Sequence, residues 1–190
     1  SFKGLTEGMK SVGLDYKKIK KVIITHEHVD HICGIYQIKK EFGANMPKLY
    51  AYGNTAKCII NADENSIFPG NLGISAEMFG VKMEKLPCTE LKDGEVLDLN
   101  GFKLEVIWTP GHSEGSASFI ENDKKIIFCG DTVFPGGSFG RYDFPGGSQK
   151  TLKESIKKLT EKKGLVWLCA GHMLFESDAS AQIKMSLRNI

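Results

Sequence analysis

The stretch Thr25-His26-Glu27-His28-Val29-Asp30-His31 constrains this chain more than any other part of it. It follows the β-branched run Lys21-Val22-Ile23-Ile24 and leads into residues with helical spacing, so it reads as a turn from a buried strand into a helix. Three of the chain's five histidines and two carboxylates fall within these six positions, 26 to 31. Neutral imidazole and carboxylate are ligands for zinc, iron or manganese, and side chains on a tight turn can converge on one ion or on two neighbouring ions. The competing reading is a polar strand-to-helix turn in which Asp30 is the helix N-cap.

Length and composition allow such a site to sit in an ordinary folded domain. A chain of 190 residues, 41% hydrophobic and 25% charged, reads as one domain spanning 1–190 with a full apolar core. A formal charge of +2 gives little attraction to nucleic acid or to an anionic membrane, so neither is expected as a partner. No apolar run approaches the roughly 18 residues that cross a bilayer. The five cysteines are widely spaced, without a CxxC pair, and read as reduced thiols of a cytoplasmic protein. No signal peptide is legible, and the chain opens without methionine on what already reads as a helix, which predicts further sequence upstream.

Along the chain, Phe2, Leu5, Met9 and Val12 predict an amphipathic helix over 2–13, closed by Gly13. A strand over 21–25 carries the histidine cluster at its carboxyl end, where open α/β folds place ligand sites. A helix from Asp30 to Phe42 and a strand from Pro47 to Tyr52 follow. The segment 53–80, with helical turns at Thr55–Ile60 and Ser75–Phe79 around Pro69, Gly70 and Gly73, reads as a lid or a surface insertion. Asn100-Gly101 predicts a hairpin joining 95–99 to 102–109, and Asn122-Asp123 joins 116–121 to 125–129. A helix over 150–159, a buried strand over 165–170 and a closing helix over 179–187 complete the pattern. Mixed hairpins and strand–helix units suit a layered α/β sandwich.

The remaining histidines repeat the logic of the first cluster. His112 lies in the turn Thr109-Pro110-Gly111-His112-Ser113-Glu114-Gly115, and His172 follows the last strand in Gly171-His172. Asp131, in Gly130-Asp131-Thr132, also follows a strand. All five histidines therefore occupy equivalent places, which points to one shared site.

These four motifs, in this order and approximate spacing, resemble those of the metallo-β-lactamase-fold hydrolases. The run GDTVFPGGSFGRYDFPGGS, residues 130–148, is most similar to the glyoxalase II (hydroxyacylglutathione hydrolase) branch. The resemblance implies a four-layer αββα sandwich whose first strands would precede residue 2. It implies that His26, His28 and His112 hold one metal, that Asp30, His31 and His172 hold a second, and that Asp131 bridges them. The expected cofactors are thus two divalent ions, zinc first, with iron and manganese as alternatives. The implied reaction is hydrolysis of a small-molecule thioester or ester by a hydroxide bridging the two metals, with Asp30 orienting it and taking its proton. Asp30 and Asp131 are then the catalytic carboxylates.

The resemblance also implies supporting roles near the metals for Thr25 and Glu27, although Glu27 itself reads as solvent-facing. Arg141 stands where that branch has a basic residue on glutathione, and a salt bridge to Asp143 is the alternative. Phe134, Phe139 and Phe144 are candidate pocket walls, with packing of their own loop as the alternative. After His172 the chain reads Met173-Leu174-Phe175, where glyoxalase II enzymes have an aromatic residue near the metals and a helical C-terminal domain. Two other activities occur on similar sequences. Persulfide dioxygenases, which share the loop seen here as Gly140-Arg141-Tyr142-Asp143-Phe144, use one iron at the positions of His26, His112 and Asp131; lactonases are the other.

Overall fold

The computed structural model describes residues 2–67 and 75–190. Residues 68–74, which include Pro69, Gly70 and Gly73 of the expected lid or insertion, lie outside the described residues. The helices are α1 (Phe2–Ser11), α2 (Val29–Phe42), α3 (Gly53–Asn61), α4 (Glu64–Ile67), α5 (Gln149–Thr160) and α6 (Ala179–Asn189). The strands are β1 (Lys21–Ile24), β2 (Lys48–Tyr52), β3 (Cys88–Leu91), β4 (Val96–Asp98), β5 (Lys103–Trp108), β6 (Ala117–Glu121), β7 (Ile126–Gly130) and β8 (Trp167–Ala170). They form a parallel sheet in the order β1-β2-β3 and a mixed sheet in the order β4-β5-β6-β7-β8, antiparallel except at the β7–β8 pair.

Strand periodicity explains how the layers separate. In β1, Val22 and Ile24 face a cluster with Ile32, Ile35 and Tyr36 of α2 and Ile59 of α3, while Ile23 faces the other sheet. In β7, Ile127 and Cys129 pack on Leu152, Ile156 and Leu159 of α5 and Ile183 of α6, whereas Phe128 turns inward. Between the sheets lie Leu91, Leu104, Val106, Ala117 and Phe119, with Tyr50 and Tyr52 against them. Successive side chains thus serve opposite faces of each sheet. The result is helices, sheet, sheet, helices, the expected four-layer αββα sandwich.

Local signals end the elements where the chemistry requires. Gly43, at φ 56°, stops α2, and Asn100 and Gly101, at φ 64° and 94°, form the tight β4–β5 turn that only such residues adopt readily. The Ser148 hydroxyl accepts from the Thr151 N–H at 3.2 Å to start α5, and the Asp178 carboxylate accepts from the Ala181 N–H at 3.2 Å to start α6.

Two expectations change. The first helix ends at Ser11 rather than at 13, and none of its residues is buried: Leu5 is 47% exposed, and Val12, just past its end, 70%. Its apolar stripe is real but has no core beneath it, apart from Phe2 edge-on to Tyr16. The strand β3 has no counterpart in the sequence reading. Four residues, Cys-Thr-Glu-Leu, are too few for a period to show, and only pairing with Leu49–Tyr52 of β2 makes them a strand.

The sandwich makes a direct stability prediction. Ile127 is fully buried in the middle of β7 against α5 and α6. Ile127→Ala is expected to cost about 2–5 kcal/mol, seen as a lower urea midpoint with an unchanged slope. A change below ~1 kcal/mol would contradict this packing.

Candidate metal centre

Because β5, β7 and β8 run in one direction within their sheet, their carboxyl ends share a rim. The turn after β5 carries His112, the end of β7 leads to Asp131, and the end of β8 leads to His172. From the facing sheet, β1 delivers His26 and His28 directly, and the first turn of α2 delivers Asp30 and His31. The N-cap of α2 is His28, without a side-chain cap bond, so Asp30 is not the cap. Its carboxylate lies one position inside the helix, beside the imidazoles.

All seven residues meet. His26, His28 and His112 form one group whose ligand atoms lie within 4.8 Å of one another; Asp30, His31 and His172 form another, and Asp131 groups with His26 and His31. Asp131 stands in the middle: its Oδ1 is 3.4 Å from His31 Nε2, and its Oδ2 is 3.6 Å from His112 Nε2 and 3.3 Å from His172 Nε2. Asp30 Oδ2 is 3.1 Å from His172 Nε2 and 3.5 Å from His31 Nε2.

The donor atoms are prepared for a cation. Four buried side-chain polar atoms among the described residues have no hydrogen-bond partner, and three are His26 Nε2, His112 Nε2 and Asp131 Oδ1. Leaving such atoms bare costs about 1–3 kcal/mol each, so their convergence asks for a shared partner. The other nitrogens are occupied: His112 Nδ1 donates to the Arg141 carbonyl at 2.7 Å, and His26 Nδ1 lies 3.1 Å from the Thr25 hydroxyl. Both contacts aim Nε2 into the cluster, the second-sphere arrangement that metal-binding histidines use.

Electrostatics agree. Burial, reinforced by the neighbouring imidazoles, pushes the His26 pKa well below its usual value. Burial and His112 bring His28 down to about 4, and burial lowers His112 as well. These rings are therefore neutral, the form that ligates. Burial alone would raise the Asp131 carboxyl, but His31, His112 and His172 outweigh it and hold Asp131 below the usual range, as a carboxylate.

Glycines make room for this crowding. A Cβ at Gly140 would strike the Asp131 carbonyl, and one at Gly171 would strike the Asp131 carboxylate. These close approaches account for two glycines that the sequence shows only as members of the 140–144 loop and of Gly171-His172.

Glu27 is not solvent-facing. It is buried; its Oε1 accepts from the Gly115 N–H at 3.1 Å, and its Oε2 lies 2.8 Å from the Thr55 hydroxyl. In an extended segment His26 and His28 share one side and Glu27 takes the other. Here that other side is the first turn of α3, whose amide end favours a negative charge. Glu27 thereby ties the His26–His28 segment to the loop that holds His112, and Thr55, which no motif had marked, completes the tie.

Arg141 forms a bidentate pair with Asp143, at 2.8 Å and 2.6 Å, and its guanidinium lies 3.9 Å from the centroid of the Phe144 ring. The pair holds the Asp143 carboxyl down to about 2. Phe144 sits edge-on to His28 at 5.9 Å and Phe134 lies 6.0 Å from His172, while Phe139 stacks on Tyr142 instead.

With this geometry in place, comparison with known proteins is informative. The model of the metallo-beta-lactamase superfamily matches residues 2–172. The chain belongs to that superfamily. It is 35% identical over 158 residues to hydroxyacylglutathione hydrolase GloC of Haemophilus influenzae, covering 81% of this chain and 68% of that protein. It is 31% identical over 153 residues to the probable metallo-hydrolase YqgX of Bacillus subtilis, covering 80% and 67%. The GloC match supports the glyoxalase II-like branch. In structure it is similar to the di-iron-bound form of TTHA1623, with a TM-score of 0.70, 23% identity and coverage of 100% and 82%. It is also similar to the B3 metallo-beta-lactamase BLEG-1, with a TM-score of 0.74, 22% identity and coverage of 99% and 82%. Both likenesses concern the fold. Among the described residues no helix is long and apolar enough to cross a membrane.

The buried tie at Glu27 yields a prediction for this superfamily member. Glu27→Ala strands the buried Gly115 N–H and leaves the Thr55 hydroxyl only the Gly115 carbonyl, at 3.0 Å, which should cost about 1–3 kcal/mol in urea unfolding of the metal-free protein. It should also weaken zinc affinity in a chelator competition by loosening the His112 loop. Unchanged stability together with unchanged affinity would exclude the tie.

Proposed function

We propose that the chain is a dinuclear metal-dependent hydrolase of small thioesters or esters. One observation carries the reading: Asp131 stands between two complete three-residue ligand groups, within 3.3–3.6 Å of His31, His112 and His172. A site for a single ion would not need both groups. His26, His28 and His112 would hold one ion, Asp30, His31 and His172 the other, and the Asp131 carboxylate would serve both. A nitrogen- and oxygen-only donor set suits zinc, and iron or manganese equally in kind. TTHA1623, of the same fold, has been crystallised in a di-iron-bound form.

Bound at this centre, two divalent ions supply a water of lowered pKa and a positive field for an acyl oxygen. The protein's own groups do the rest. Asp30, half exposed beside His172, orients the attacking water and takes up its proton. The buried imidazoles of His26, His28 and His112 stay neutral and fixed, so no reorganisation is needed as charge develops on the substrate. The thiolate or alkoxide then leaves through the open side. A cysteine nucleophile is disfavoured, because burial raises the Cys33 thiol to about 11 and those of Cys58, Cys88 and Cys129 to about 12. GloC, by its name a hydroxyacylglutathione hydrolase, supports the thioester class. Five unpaired cysteines support a reducing, cytoplasmic setting, and a net charge of +2 argues against nucleic acid as substrate. In this reading Arg141, already paired with Asp143, contacts substrate only by exchanging that partner.

Metal analysis with an activity assay tests the proposal. The purified protein should carry two zinc, iron or manganese ions per chain and hydrolyse a thioester. Asp131→Ala should lose metal and at least about 1000-fold in kcat/KM, since it removes a ligand of both ions. One iron per chain with sulfur-dependent oxygen uptake would overturn the hydrolase reading, and a fully loaded, fully active Asp131→Ala variant would overturn the bridging assignment.

A further inference from the structure

The strands that lead to His112 and Asp131 are not neighbours. β6 lies between β5 and β7, so the two strand ends stand about 10 Å apart across the sheet. Yet His112 Nε2 and Asp131 Oδ2 are only 3.6 Å apart, and His112 Nε2 and Asp131 Oδ1 are both buried without a hydrogen-bond partner. The turn after β5 and the turn after β7 are therefore drawn together over the start of β6.

Buried hydroxyls bridge that gap. Thr132, directly after Asp131, donates its hydroxyl to the Thr109 oxygen at 3.2 Å, and the Thr109 oxygen lies 3.0 Å from that of Ser118 in β6. Three elements are tied at one point: the end of β5, the second residue of β6 and the turn after β7. A second pair closes the His112 turn on itself. The Ser113 and Ser116 hydroxyls lie 2.8 Å apart, and the Ser116 hydroxyl also accepts from the Ser113 N–H at 3.2 Å. All five hydroxyl residues are buried, and none of their oxygens is among the bare buried atoms.

Hydroxyls are a costly way to fill such a place, since valine occupies the space of threonine without a polar group to satisfy. What they add is a fixed distance and direction, which apolar contact does not supply. Their positions follow the ligands: Thr109 is three residues before His112, Ser113 one after it, and Thr132 one after Asp131. We infer that Thr109 and Thr132 are positioning residues, whose hydroxyl bond sets the spacing of His112 and Asp131 before an ion arrives. The inference rests on the metal-centre reading and deepens it. The contacts of Thr25 and Arg141 aim single imidazoles, whereas this bond fixes one ligand relative to another.

The test measures zinc affinity of the metal-free protein by chelator competition, together with Tm and the visible bands of the cobalt(II)-loaded protein. Thr109→Val and Thr132→Val keep the shape and remove the bond. Each should weaken zinc binding about 10- to 100-fold and shift the cobalt bands. Thr109→Ser keeps the hydroxyl and should keep wild-type affinity. Because Thr109→Val already strands the Thr132 hydroxyl, the double variant should bind zinc no more weakly than Thr109→Val alone. Leu159→Ala is the control: it opens a cavity at the end of α5 remote from the His112 turn, and should lower Tm with zinc affinity unchanged. Valine variants that lower only Tm, with zinc affinity and cobalt bands as in the wild type, overturn the inference. So do losses that multiply in the double variant, an equal zinc loss in Leu159→Ala, or a Thr109→Ser variant as weak as Thr109→Val. Should Thr109→Val not fold, Thr132→Val against Thr132→Ser decides in the same way. A wild-type protein that binds neither zinc nor cobalt ends the metal reading itself, and this inference with it.

Discussion

The structure depends on the closure of one sheet against the other at the base of the site. The Ala117 N–H at the start of β6 donates to the Thr25 carbonyl at the end of β1, at 2.9 Å, and so joins the two sheets by a backbone bond. Around it Gly130 approaches Thr25 so closely that a Cβ there would collide, and Glu27 reaches across to the Gly115 N–H. The inner faces behind this seam, with Phe119, Val106, Tyr50 and Phe128, fix the distance and angle between the sheets. Strand ends that belong to different sheets are thereby brought within ligand distance of each other.

The site inherits its rigidity from that seam. His26 leaves β1 directly after the bonded Thr25, and Asp131 leaves β7 directly after the close-packed Gly130, so neither has free chain in which to relax. Burying three imidazoles and a carboxylate with His26 Nε2, His112 Nε2 and Asp131 Oδ1 left bare is expensive, and a fold tolerates it where the groups share a cation. The same burial that keeps the imidazoles neutral also sharpens the field that a substrate carbonyl would feel. Asp30 and His172 remain half exposed, so the centre is open on their side.

Much of this was legible in the chain itself. The strand-end position of every histidine, the hairpin at Asn100-Gly101 and the helices of the second half follow from local periodicity and turn chemistry, and the structure keeps them within a few residues. The misread parts share a cause. β3 is defined by its partner β2, Glu27 by the α3 terminus it happens to face, and the first helix by a core it does not have. None of these is a property of a residue and its near neighbours. Asp30 shows the same in small: an acid at the start of a helix is an N-cap or an internal first-turn residue depending on one backbone angle at His28.

The sequence by itself determined which chemistry the protein carries, because five histidines and Asp131 placed after strands leave a metal centre as their natural use, and because its motifs follow the order of a known superfamily. Only the tertiary structure decided how those residues share the work. It set Asp131 between the two groups, turned Glu27 inward, tied Arg141 to Asp143 and left Asp30 and His172 half exposed. The physical reason is that ligand type is written in the side chain, whereas distance, burial and partner are set by how two sheets pack, and that packing joins residues more than a hundred positions apart.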